Sequence, residues 1–238
     1  MSELKLRAEA PGLQIGVRLS AVDLVPFRRD LEHPVRGLGV PEPFDDLLPY
    51  SYAFGARADD PTAVDLSDAL AFCGILQGLG ITLLNVSGGS PYYTPHVTRP
   101  ALYPPSDGYL PPEDPLVGVM RLLDAARTIK AAFPGITCVA SGLTYLQDYL
   151  PHVAQAVVRR GWADFVGLGR MVLSYPELPH DLLSNGRFNE KRLCRTFSDC
   201  TTAPRNGMVS GCYPLDAAYK TSPQAKTLAA VKKAAKIA

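Results

Sequence analysis

The chain has 238 residues, 47% of them apolar and 20% charged, with a formal net charge of +1. This length suits one large domain or two small ones. The balanced charge leaves no basic field for nucleic acid. No apolar run approaches the roughly 18 residues that span a bilayer, and MSELKLRAEAPG carries no apolar core of a secretory signal. A cytoplasmic protein with neither nucleic-acid nor membrane partners is expected.

Four short apolar runs recur in chain order: QIGVRLS (14–20), ITLLNVSG (81–88), ITCVASG (136–142) and DFVGLGR (164–170). Their near-continuous apolar character predicts parallel strands buried on both faces. Helical patterns precede the last three. Residues 65–79 carry apolar residues at helical spacing, with Ser67 as N-cap. Residues 115–133 form the clearest helix, capped by Asp114 with Pro115 in the first turn. Residues 145–160 form a third, broken or started near Pro151. Gly80, Gly135 and Gly161 fall where left-handed C-caps are expected. The order predicts an α/β fold, either an open doubly wound sheet or a β/α barrel. Two long segments, 21–64 and 89–113, follow strand ends, on the side where such folds place their sites.

Two of those strand ends carry the chemistry. Ser141-Gly142 and Gly169-Arg170 close consecutive strands. A phosphate needs backbone N–H groups brought near, which glycine permits, and gains from a guanidinium fork. The alternative is a tight turn with a surface arginine. Arg18 stands between Val17 and Leu19, and a charge inside a buried strand must meet a ligand or a carboxylate. Cys73 and Cys138 lie in apolar runs and are expected as buried thiols. His96, His152 and His180 are expected at the surface.

RLSAVDLVPF, LLNVSGGSPYY, VASGLTYLQDYLPHVAQAVVRRGWADFVGLGRMVLSYPELP and CRTFSDCTTAPRNGMVSGCYPLD together resemble the C-terminal half of the Old Yellow Enzyme family. That family comprises NAD(P)H:flavin oxidoreductases on a (β/α)8 TIM-barrel fold that hold FMN. The resemblance spans about residues 10–215. It implies a half-barrel of the last four β/α units over residues 1–190, then a cysteine-containing extension over residues 191–238. It implies that Arg18 contacts the flavin's pyrimidine edge, and that Ser141, Gly142, Gly169 and Arg170 hold the FMN phosphate. Tyr92 and Tyr93 would lie near the substrate, or form a packed aromatic loop. NAD(P)H would be the reductant and an activated alkene the acceptor.

The departures are equally specific. The family's preceding half carries flavin-stacking residues and a His-His or His-Asn anchor that have no counterpart here, so no catalytic residue is assigned. The expected states are a truncated fragment, a homo-oligomer, or a half-barrel completed by a separate N-terminal half. Residues 2–20 read as the end of a helix entering the first strand. Some larger family members bind a [4Fe–4S] cluster through C-x2-C-x3-C-x11-C. Cys200 and Cys212 keep the last spacing, but Thr196 and Leu193 occupy the earlier positions and Cys194 is out of register. No cluster is expected, and a zinc site at Cys194, Cys200 and Cys212 has no further support. An aldolase-like phosphate barrel is the competing chemistry, disfavoured by the lack of a strand-end lysine.

Overall fold

A computed structural model describes residues 9–10 and 12–235. The predicted helix end ahead of the first strand falls largely on residues outside that range. Four strands, β1 (Gly16–Ser20), β4 (Leu83–Ser87), β5 (Thr137–Ala140) and β6 (Phe165–Val166), form one parallel sheet in the order β1-β4-β5-β6. Each is a piece of one of the four apolar runs. Arg18 pairs with Asn85, Asn85 with Val139, and Val139 with Phe165, so these four residues form one row across the sheet.

The alternation along each strand decides which face is covered. Leu19, Leu84, Val86, Cys138 and Ala140 point to one side and are buried. Helices α1 (Ser67–Gly78), α3 (Pro115–Ala132) and α4 (Leu150–Arg159) supply that side's second layer. Val119, Leu123, Ala126 and Ile129 of α3 join the same core, as the spacing of an amphipathic helix requires. The other face is open: Arg18 is exposed, Leu83 is 39% exposed and Phe165 is 60% exposed. The expectation of strands buried on both faces is corrected here. An apolar run identifies a strand, whereas covering its second face requires another layer of structure.

Local signals behave as chemistry dictates, with two exceptions. The carboxylate of Asp114 accepts from Leu116 N at 2.8 Å and Pro115 opens α3. Gly80 and Gly161 adopt left-handed conformations after α1 and α4, with φ of 77° and 66°. Gly135 does not, because Pro134 restricts Phe133 to a non-helical conformation and ends α3 one residue earlier. Ser67 is the first residue of α1 rather than its cap; Asp65 Oδ1 accepts from Ser67 N at 2.9 Å instead. Ahead of α4, residues 143–149 form a 3-10 turn, and Pro151 sits in the first turn of α4.

The long segments contain structure that periodicity does not reveal. Residues 21–64 include an antiparallel pair, β2 (Phe27–Asp30) and β3 (Leu38–Pro41). Residues 89–113 include a four-residue helix, α2 (Pro95–Thr98). The two segments pack together through Phe27, His96 and Tyr109. Phe27 meets His96 edge-on at 4.7 Å, and His96 Nδ1 lies 2.7 Å from the Tyr109 hydroxyl. His96 is therefore buried, at 7% exposure, correcting its assignment to the surface. Its burial depends on β2, 69 residues earlier in the chain, so no local pattern announces it. His152 and His180 are exposed.

Helices α5 (Leu178–Asn185) and α6 (Asp199–Arg205) follow β6, then α7 (Ala217–Lys220) and α8 (Pro223–Ala234). Ala203, Met208, Tyr213 and Leu228 make a small apolar cluster separate from the main core. Lys232 on α8 pairs with Asp199 on α6 at 2.5 Å. Leu193 and Cys194 belong to the main core, so the extension is anchored there at its start. Among the described residues, no helix is long and apolar enough to cross a membrane.

Candidate functional site

Polar groups concentrate on the open face at the C-terminal ends of the strands. Arg18 Nε donates to Ser87 Oγ at 3.3 Å, and Ser87 Oγ donates to Leu19 O at 3.0 Å. Across the next strand, Ser141 Oγ donates to Asn85 Oδ1 at 3.1 Å. A Cβ added at Gly167 would approach Ser141 Oγ to 2.9 Å and Asn85 Nδ2 to 3.3 Å. Glycine there lets the strand-end backbone lie against these polar side chains. Arg18, Asn85, Ser87, Ser141 and Gly167 thus form a continuous polar edge, while Val139 and Phe165 continue the row of Arg18 and Asn85 as apolar surface and Leu83 lies one step below it. Among the described residues, Arg18 has no carboxylate within salt-bridge distance. Exposure, not pairing, is what lets the strand carry this charge.

Asn85 and Gly167 were absent from the sequence-based candidates. The available signals were a lone amide within ITLLNVSG and the first glycine of GLG. Only the register, which sets Asn85 beside Arg18 and Val139, gives them a site.

The two predicted turns are neighbours. Gly167 N donates to Ala140 O at 2.8 Å, directly joining the chain that continues to Ser141-Gly142 with the chain that continues to Gly169-Arg170. Gly142 has φ of 90°, and a Cβ on it would meet Leu122 Cδ1 at 2.3 Å, so this turn requires glycine twice over. The guanidinium of Arg170 reaches Thr201 Oγ1 on α6 at 2.7 Å. Burial foremost, and then repulsion from Arg99, lowers its pKa to about 10, so it stays a cation at neutral pH. The cavities that Arg170 lines are bounded by residues of 91–111 and 194–215, and neither Ser141 nor Gly142 contributes to them.

Tyr92 and Tyr93 are exposed. The Tyr92 ring lies under the Arg205 guanidinium, 5.4 Å from ring centroid to Cζ. The Tyr93 carbonyl accepts from Phe27 N at 3.0 Å, tying this segment to β2. Cys73 and Cys138 are buried free thiols, and burial pushes Cys138 up to about 11. Cys194 and Cys212 are buried, Cys200 is half-buried, and all three line one cavity. Among the described residues, no group of three or more His, Cys, Asp or Glu side chains is arranged to hold a metal ion.

Comparison of the chain with protein-family models, curated proteins and solved structures finds no significant match.

Proposed function

We propose that this chain is the C-terminal half of an FMN-dependent oxidoreductase barrel of the Old Yellow Enzyme type. The observation that carries the reading is the polar edge formed by Arg18, Ser87, Asn85 and Ser141 on an uncovered parallel sheet. When bound, FMN would accept hydride from NAD(P)H and deliver it to an activated alkene. Arg18, a strand-borne cation without a carboxylate partner among the described residues, would supply positive charge at the pyrimidine edge of the ring. Asn85 would orient Ser141 through their hydrogen bond. Ser141, Gly142 and Gly169 would offer backbone donors to the phosphate, and Arg170 its charge. Tyr92 and Tyr93 would flank the substrate.

FMN titration of the purified chain, followed by quenching of flavin fluorescence, tests this reading. Arg18→Met should weaken FMN and riboflavin alike. Arg170→Ala should weaken FMN by roughly 1.5–3 kcal/mol, the range for charge-assisted hydrogen bonds, and leave riboflavin unchanged. Absence of FMN binding by the wild-type chain would overturn the assignment.

The exposed Leu83 and Phe165 favour a completed assembly over an isolated half-barrel, since a monomer gains stability by covering such a face. The covering body would be a complementing N-terminal half or a second copy of the chain, and turnover would require it. Light scattering should therefore give a dimer mass for the purified chain or a 1:1 complex with the complementing half. A monomer in both preparations contradicts the pairing.

A further inference from the structure

Two cations, Arg99 buried and Arg170 half-buried, line the same cavities where the 89–113 segment meets the C-terminal extension. Arg99, immediately after α2, is only 9% exposed. Its Nη1 donates to Ser198 Oγ at 3.1 Å and its Nη2 lies 3.5 Å from Cys194 Sγ, while its buried Nε has no partner among the described residues. Arg170 Nη1 donates to Thr201 Oγ1 at 2.7 Å, and Cys200 lines the same cavity. Among the described residues, neither guanidinium has a carboxylate within salt-bridge distance. Asp199 also lines this region, but its carboxylate is engaged by Lys232.

Burying a cation without a carboxylate is costly, and a second guanidinium beside it adds repulsion. The Ser198 and Thr201 hydroxyls orient the guanidiniums without cancelling their charge. Both arginines line two adjoining cavities, one walled by Tyr103, Tyr109 and prolines, the other by the three cysteines. The unpartnered Nε, the shared cavity walls and the lack of a countercharge among the described residues all point to the same kind of occupant.

We propose that Arg99 and Arg170 together bind an oxyanion of the phosphate class, with Ser198 and Thr201 as flanking hydroxyls. The site shares Arg170 with the flavin reading but stands on Arg99, which that reading does not use. Two guanidiniums suit a dianion better than a monoanion, because each can form paired N–H···O bonds to it. The ligand is either the phosphate ester of a bound nucleotide-type cofactor or a separate phosphate.

Inorganic phosphate is the first probe, measured by calorimetry and by thermal stability of the full chain against chloride at matched ionic strength. Phosphate should bind and raise the wild-type melting temperature. Arg99→Met should weaken binding about tenfold or more, with Arg99→Lys intermediate. FMN and riboflavin then separate the sources. Competition by FMN but not by riboflavin identifies the ester as the occupant, and phosphate binding undisturbed by FMN identifies a separate anion; both uphold the two-arginine site. No phosphate effect on the wild-type protein overturns it, and this readout does not depend on any variant folding. Phosphate affinity unchanged in Arg99→Met overturns it as well. Rapid alkylation of Cys194 or Cys200 at pH 6, unslowed by phosphate, would make thiolates the countercharge and remove the proposal. FMN quenching that persists while phosphate binding fails would leave the flavin reading intact, so the two can fail separately.

Discussion

Gly55→Ala should be among the most damaging small substitutions in the protein, lowering unfolding free energy by about 2–5 kcal/mol. Gly55 has φ of 76°, and a Cβ there would lie 2.1 Å from Ala21 O and 3.1 Å from Val22 Cα. A left-handed alanine costs roughly 1–2 kcal/mol, and overlap with fixed atoms typically adds roughly 1–3. The obstacle is backbone, and Ala21 and Val22 are fully buried, so no flexible side chain can swing aside. Ala21 directly follows β1 and donates to Ser87 O at 2.8 Å. The strain therefore falls on the turn that docks the 21–64 segment against the polar edge. Gly161→Ala is the matched control: its φ is 66°, but a Cβ would meet nothing within 4 Å. It should show only the conformational cost. Urea denaturation of both variants checks the comparison, and equal losses would mean that the close approach at Ala21 contributes nothing.

A second large effect comes from His96. Burial lowers its pKa from 6.5 to about 4, with Glu113 partly opposing the shift and Arg121 reinforcing it. Below about pH 6.5 the unfolded chain takes up a proton that the folded chain refuses until about pH 4. The unfolded state then binds more protons, so stability falls as pH drops through this window and is fully present above it. At 1.36 kcal/mol per pKa unit, the loss is on the order of 3 kcal/mol. His96→Phe should remove this contribution. The Tyr109 hydroxyl keeps an acceptor in Tyr93 O at 3.4 Å, so the variant need not leave it orphaned. The difference in unfolding free energy between wild type and variant, measured from pH 4 to 7, should change across that window. A constant difference would mean that His96 titrates normally and is not enclosed by Phe27 and Tyr109.

The two predictions concern the segments that sequence reasoning understood least. Residues 21–64 and 89–113 have no sustained period, and their order comes from contacts with each other. Gly39 illustrates this: a Cβ on it would meet Tyr109 Cδ2 at 2.3 Å, a constraint set by a residue 70 positions away. The candidate site divides in the same way. Arg18, Ser141, Gly142, Gly169 and Arg170 were legible because glycine, serine and arginine at apolar strand ends are unusual. Asn85, Gly167 and Arg99 acquire meaning only from register and packing.

By itself, the sequence determined the order of the four sheet strands and of helices α1, α3 and α4, the Asp114 cap, the left-handed turns at Gly80 and Gly161, and the buried thiols at Cys73 and Cys138. Each depends on neighbours within a few positions, where side-chain period, backbone φ and hydrogen-bond reach act directly. Tertiary structure alone decided that one face of the sheet stays uncovered, that His96 is enclosed, and that the Arg170 guanidinium lies beside Arg99. Those outcomes depend on which distant surfaces meet, and an arginine side chain with its several rotatable bonds can point to either side of a turn until its neighbours fill the space.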